Sequence, residues 1–222
     1  IISDNSPFGR SIAEGARRWT KDFGLNVVVN EEFKKGRRNL TEFARKAADA
    51  KVTALIATGH YDEAVDMRRA LEAIGYNDIA YFSAVGPAVP KYLKDLGPLA
   101  EKSFSTAWWS PKVEHQRGDF DLFLNPYLKT YHKVPDHNVA LIYAAGQVYE
   151  AAITHANSVD PDKVRQALYQ LDILTIIGRY GVNPSGQQSK QFLLTNQWQN
   201  GKIEVVGPEK LASKKPIIKT VN

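Results

Sequence analysis

In the first half of the chain, short apolar runs alternate with stretches whose apolar residues recur at helical spacing. Ile12, Ala16, Trp19 and Phe23 form one helical stripe between Gly9 and Phe23, and Gly24 follows as a C-terminal cap. Leu25–Val29 then reads as a strand. Asn39 can cap a helix whose inner face is Leu40, Phe43, Ala44 and Ala47. Val52–Ala57 is continuously apolar, as expected of a central parallel strand covered on both faces. Ala64, Met67, Leu71 and Ile74 mark the next helix, which Gly75 ends, and Ile79–Phe82 and Phe104–Ala107 are further strands. With Ile1-Ile2 as the end of an opening strand, the order is β-α-β-α-β-α-β. That pattern predicts an α/β fold with a doubly wound parallel sheet.

The pattern changes at Trp108-Trp109-Ser110-Pro111. Helices are expected over about Val113–His132, His137–Asn157 and Pro161–Leu171, the last with Asp160 as cap and proline in its first position. Strands return at Tyr180–Asn183, Phe192–Trp198 and Ile203–Val206, with Asn200-Gly201 as a hairpin turn. Three segments follow: 1–109 as an α/β domain, 110–176 as helices, and 177–222 as return strands with a terminal hairpin. A strand of ordinary length has about five or six residues, so Ile1-Ile2 reads as the tail of a strand and the chain as a fragment. No signal peptide is visible, and for a fragment the missing leader carries no information about localisation.

Parallel strands joined by crossover helices place their following loops on one sheet edge, where ligands of open α/β sheets bind. Those loops are Ser3–Gly9, Thr58–Tyr61 and Ser83–Pro87. They carry rings and small residues rather than catalytic groups, which points to a binder. Phe8, His60 and Tyr61 sit at strand-to-helix junctions there, whereas Trp19, Phe23, Phe43 and Phe120 lie on helical stripes and are expected in the core. Trp108 and Trp109 either pack around a hinge or line a cleft, with packing favoured.

The composition, 43% hydrophobic and 24% charged, is that of an ordinary globular chain, and no run is long and apolar enough for a membrane span. The absence of cysteine excludes disulfides, zinc-thiolate sites and thiol nucleophiles. The net charge of +5 mildly favours an anionic partner. The basic run Lys34, Lys35, Arg37 and Arg38 has no stacking aromatics and reads as a solvated turn rather than a nucleic-acid patch. No phosphate-binding loop, nucleophile elbow or dinucleotide fingerprint is present. His60, His115, His132, His137 and His155 share no metal-ligand spacing, so neither metal nor cofactor is expected. His60 with Asp62 and Glu63 allows a hydrolytic pair. The simpler reading gives both acids to the start of a helix, where negative charge is favourable. Asn39-Leu40-Thr41 matches a glycosylation acceptor, but the helix-cap role takes precedence.

Several pieces together resemble a known family. They are Phe8-Gly9-Arg10-Ser11 with Glu14-Gly15, Gly24-Leu25-Asn26-Val27-Val28, Ala57-Thr58-Gly59 and Leu71-Glu72-Ala73-Ile74-Gly75-Tyr76. Tyr143-Ala144-Ala145 and Gln197-Trp198-Gln199-Asn200-Gly201-Lys202 follow in the same order. The chain resembles a type I periplasmic solute-binding protein of the branched-chain amino-acid and amide group of ABC importers, without the start of the first lobe. The resemblance implies two α/β lobes that close on a small solute by a hinge motion. Residues 1 to about 107 would form most of the second lobe, and helices from about 112 to 175 would belong largely to the first. Trp108, Trp109 and Ser110 would be hinge residues. A membrane permease and the missing first-lobe segment would be partners, with a periplasmic location and no catalysis.

The ligand-binding positions carried over are Phe8, His60, Tyr61, Ala84 and Val85. Amino-acid binders of the family place a carboxylate after the fourth strand to meet the ligand ammonium, and here that position is Val85. Burying an ammonium without a counter-charge costs several kcal/mol. The expectation is therefore a carboxylate or amide lacking an ammonium, such as an aromatic or aliphatic acid. Two other readings stand beside this one: a cytoplasmic sensor of the same fold that regulates gene expression, and a doubly wound enzyme using His60.

Overall fold

The computed structural model describes residues 1–115 and 118–218. The chain divides into two compact units, one of Ile1–Thr106 with the segment from Thr195 onward, the other of Ala107–Leu194.

The first unit is built on a seven-stranded sheet in the order β2-β1-β3-β4-β5-β8-β9. Its strands are β1 (Ile2–Asp4), β2 (Glu31–Phe33), β3 (Ala54–Thr58), β4 (Ala80–Ser83), β5 (Phe104–Ala107), β8 (Leu194–Gln199) and β9 (Lys202–Gly207). β1 runs parallel to β2 and β3, and β3, β4 and β5 continue parallel. Helices α1 (Pro7–Asp22), α2 (Thr41–Asp49), α3 (Tyr61–Ala73) and α4 (Pro90–Leu96) make the crossovers. One core joins Ile2, Phe33, Phe43, Leu55, Met67, Leu71 and Tyr81. Another centres on Tyr92, Leu96 and Trp198, whose indole Nε1 donates to the Pro87 carbonyl at 2.7 Å. β8 and β9 form an antiparallel hairpin through Asn200 and Gly201, both at positive φ (53° and 70°), as a tight two-residue turn requires.

The second unit holds α5 (Asn125–Tyr131), α6 (His137–Ala156), α7 (Pro161–Gln170) and an antiparallel pair, β6 (Ile173–Thr175) with β7 (Gly178–Tyr180). Trp109 is buried edge-on against Phe123 at 5.4 Å between ring centroids. Asp136 and Asp160 cap α6 and α7 through backbone N–H groups of the first turn.

Three expectations change. Leu25–Val29 is not a strand: β2 starts at Glu31, and Leu25, Val27 and Val28 are exposed. Trp19 and Phe23 are not core residues but lie 54% and 72% exposed, because α1 buries only Gly9 and Ala13. A helix over Val113–His132 is replaced by a π-helical turn, Phe120–Leu124, leading into α5. Residues 116 and 117 of that stretch lie outside the described residues, as do 219–222 of the segment 177–222. Within that same segment, β7 pairs with β6 in the second unit, and the sheet of the first unit resumes only at β8.

Candidate functional site

In the strand order β2-β1-β3-β4-β5, the chain leaves β1 toward one side of the sheet and β3 toward the other. Their loops therefore part at the C-terminal edge and leave a crevice, the position where doubly wound sheets hold ligands. Phe8, in the first turn of α1, and His60, the residue before α3, meet there. Their rings stack with centroids 4.7 Å apart and planes 19° from parallel.

Four buried polar residues, Asp4, Ser6, Thr58 and Glu63, hold the loops. Asp4, at the end of β1, accepts through Oδ1 from the Ser6 N–H at 3.1 Å and the Ser6 hydroxyl at 2.6 Å. Ser6 Oγ in turn accepts from the Gly9 N–H at 3.0 Å and so caps α1. A side chain at position 9 would collide with this arrangement, since its Cβ would lie 1.9 Å from Asp4 Oδ1. The Thr58 hydroxyl donates to the Gly9 carbonyl at 2.9 Å and ties the end of β3 to α1. Glu63, also buried, accepts from the His60 N–H at 3.1 Å and from the Gly36 N–H at 3.2 Å, joining the loops after β3 and β2.

The other carried-over positions are placed as follows. The Tyr61 hydroxyl donates to Asp95 at 2.8 Å, and its ring lies under the Lys91 ammonium, 4.4 Å from the centroid, so its side chain is held by α4. Burial, then the hydrogen bond to Asp95, raises the Tyr61 phenol above its usual range. Ala84 is buried, and its carbonyl accepts from both the N–H and the hydroxyl of Thr106. Val85 is half-buried on the turn that follows β4. Gly86 packs so closely on α3 that a Cβ there would lie 2.3 Å from Ala64 Cβ. The structure thus brings Phe8 and His60 together and turns Tyr61 toward α4.

Neither acid beside His60 acts on its ring. Asp62 pairs with Arg38 at 3.1 Å, and Glu63 is occupied by backbone N–H groups. Arg37 lies over Phe43 and donates to Glu42, and Arg38 also meets Asp66, so half of the basic run is tied down locally. Asn39 Oδ1 accepts from the Thr41 N–H at 3.0 Å, but the cap position of α2 is Leu40, so Asn39 stands one residue ahead of the capping role expected of it. The buried roles of Asp4 and Glu63 were missed from sequence. Asp4 falls two residues before a Ser-Pro helix start and Glu63 three after a junction histidine, and only that spacing hinted at them.

Of the tryptophan pair, Trp109 packs and Trp108 lines an apolar cavity of about 410 Å³ in the second unit, together with Leu141, Ala144, Val148, Leu168 and Ile177. Among the described residues, no group of three or more His, Cys, Asp or Glu side chains is arranged to hold a metal.

Comparison with known proteins gives the family and the fold. Residues 1–202 match the model of the periplasmic binding protein family. The chain belongs to that family. A Leu/Ile/Val-binding protein homolog 7 from Brucella abortus is 23% identical over 228 residues, covering 96% of this chain and 55% of the relative. A leucine-binding protein from Thermotoga maritima superimposes with a TM-score of 0.82 at 20% identity, over 92% of this chain and 58% of that one. A branched-chain amino-acid substrate-binding protein from Streptococcus pneumoniae, solved in complex with isoleucine, gives 0.76 at 19% identity, over 91% and 57%. The chain therefore spans little more than half the length of these relatives, and the likeness to the solved structures establishes the two-lobed type I fold.

Proposed function

We propose that this chain is part of the substrate-binding component of an ABC importer, a non-enzymatic receptor that hands a small solute to a membrane permease from the periplasmic side. Phe8, His60 and Val85 would contact the solute at the edge of the first unit, with Tyr61 and Ala84 shaping the wall beside them. Trp108, Trp109 and Ser110 would serve as hinge residues at the start of the second unit. The observation that carries this reading is the stacked Phe8–His60 pair at the point where the β1 and β3 loops diverge.

The solute class follows from the charges at that edge. Asp4 is wholly buried, Glu63 is occupied by backbone N–H groups, Asp62 is paired with Arg38, and Val85 stands after the fourth strand. Among the buried oxygens of these acids only Asp4 Oδ2 lacks a hydrogen-bond partner, and it is closed off from solvent, so an ammonium at the ring pair would meet no exposed unpaired carboxylate, which supports an aromatic or aliphatic acid, or an amide, over an α-amino acid. The remaining length of the relatives has a place as well. α6 carries eight consecutive residues, Val139–Gly146, without a charged side chain, yet Ile142 and Tyr149 are 73% and 57% exposed. A helix apolar on all sides is ordinarily buried on all sides, and the rest of the first lobe would cover it.

A thermal-shift screen of the two-lobed protein against aliphatic amino acids, aromatic acids, keto acids and amides tests this. A ligand at 100 times its dissociation constant adds about 2.7 kcal/mol. A shift with ammonium-free acids or amides is expected. Tighter binding of leucine or isoleucine would refute the solute class, and no shift with any of the compounds would refute the receptor.

A further inference from the structure

The turn that follows β4 is closed by a distant part of the chain. Of residues 84–88, Ala84, Gly86, Pro87 and Ala88 are buried and Val85 alone is half-buried, so the turn presents one side chain at the edge. Within the turn, the Ala88 N–H donates to the Val85 carbonyl at 3.1 Å. Thr106 holds its base through the Ala84 carbonyl. A side chain holds its tip: Trp198 Nε1 donates to the Pro87 carbonyl at 2.7 Å, across 111 residues of sequence. Other buried polar groups on the neighbouring strands β5 and β8 give no help, since Ser105 Oγ and Asn196 Oδ1 have no hydrogen-bond partner among the described residues.

Trp198 is itself fixed. It is buried in a cluster with Ala64 and Val65 of α3 and with Tyr92 and Leu96 of α4. Its N–H donates to the Ser103 carbonyl at 3.1 Å, and its carbonyl accepts from the Lys102 N–H at 2.9 Å. Lys102 has a φ of 63°, the left-handed residue of a bulge that sets two residues opposite one. Beside it, the Glu101 carboxylate accepts from the Asn200 and Gly201 N–H groups at 2.9 and 2.6 Å and pins the hairpin turn. From the other side Gly86 lies flat on Ala64, where a Cβ would come within 2.3 Å of the alanine methyl. The turn therefore cannot lift without breaking the indole bond.

We infer that Trp198 is the positioning residue of this turn: its indole N–H fixes Pro87 and through it the side chain of Val85 at the solute edge. Affinity for the solute then depends on a residue buried behind the one that meets it. The inference rests on the reading of Val85 as a solute contact. A buried carbonyl deprived of its donor is costly, so loss of the N–H opens the turn instead of leaving an unpaired oxygen in place. The chain reaches Trp198 only after passing through Ala107–Leu194, so the β8–β9 hairpin completes an edge whose loops all come earlier in sequence.

The test uses the two-lobed protein with Trp198→Phe, which keeps a ring in the cluster and removes the donor. Tyr76→Phe is the control, since it removes a hydrogen bond to the Val52 carbonyl away from the edge. Amide exchange is followed at Ala88, with Leu55–Thr58 as internal standard for the sheet, and benzoate, pyruvate, acetamide and leucine are titrated by calorimetry. Trp198→Phe is expected to speed exchange at Ala88 by about tenfold against that standard, the weight of one ordinary hydrogen bond. It is expected to weaken the tightest of these solutes by a similar factor, and Tyr76→Phe to change neither. Unchanged relative exchange at Ala88 would overturn the inference, as would equal effects of the two variants. Faster exchange with unaltered affinity would overturn it too, and would place the fault with Val85 as a contact. Binding of none of these compounds by the unsubstituted protein would remove the receptor reading and this inference with it. Should Trp198→Phe not fold, the unsubstituted protein still decides. Bound solute should slow the Ala88 amide and the Trp198 indole N–H by one common factor, and unrelated factors would overturn the inference.

Discussion

Gly9→Ala and Gly15→Ala form a matched pair on α1, and their difference tests the buried Asp4–Ser6 relay. At position 9 the new methyl would sit 1.9 Å from Asp4 Oδ1 and 2.7 Å from the Asp4 carbonyl oxygen, and the second of these is backbone that cannot swing aside. Either the helix start moves or the carboxylate does. Overpacking of this kind costs about 1–3 kcal/mol, and losing the serine cap adds about 1 kcal/mol. A total of roughly 2–4 kcal/mol is expected, at ~2–4 °C per kcal/mol for a chain of this size. At position 15 nothing lies within 4 Å of the added Cβ. Alanine there should instead stabilise by about 0.5–1 kcal/mol through helix propensity. Urea denaturation followed by circular dichroism measures both. If Gly9→Ala falls within 0.5 kcal/mol of the parent, about the spread of an ordinary surface change, the relay does not hold the edge as argued.

Glu63→Ala removes a buried acceptor of two backbone N–H groups and should cost about 2–3 kcal/mol; unchanged urea stability would contradict that role. Burial lowers the pKa of both His115 and His137, with Asp119 and Asp136 opposing the shift in turn. The unfolded chain therefore takes up protons first, near the ordinary histidine value of about 6.5, and stability falls as pH drops through that point toward the depressed folded values. Denaturation midpoints at pH 7.5 and 5.5 should show the loss, and His115→Phe with His137→Gln should flatten it. Val85→Glu should improve binding of aliphatic amino acids relative to ammonium-free acids in the two-lobed protein. Isothermal calorimetry showing no change in that ratio would remove Val85 from the site.

Local patterns carried most of the sheet into view. Phe104–Ala107 forms a strand with the expected bounds, Pro161 opens a helix behind its Asp160 cap, and Asn200-Gly201 turns the hairpin. Each depends on near neighbours alone, through alternation, capping or the φ demanded by a tight turn. Where partners far away in sequence decide, the pattern misled. Leu25–Val29 has every strand propensity but no strand beside it, and Trp19 and Phe23 hold core spacing on a helix whose far end covers nothing.

The same division holds for the candidate site. Order and periodicity determined that Phe8 and His60 lie after parallel strands, because crossover connections place such loops on one edge. Periodicity could not say that their rings would stack, since that depends on the register of β1 against β3. It could not turn Tyr61 toward Asp95, which lies 34 residues away on another helix. Nor could it bury Asp4 and Glu63 as braces, for a carboxylate near a helix start looks the same in sequence whether it faces water or closes the gap between two loops. Only the packed fold, by withdrawing water from these acids and supplying donors to Asp4 Oδ1 and to both Glu63 oxygens, decided that they support the edge, with Asp4 Oδ2 alone left buried without a partner.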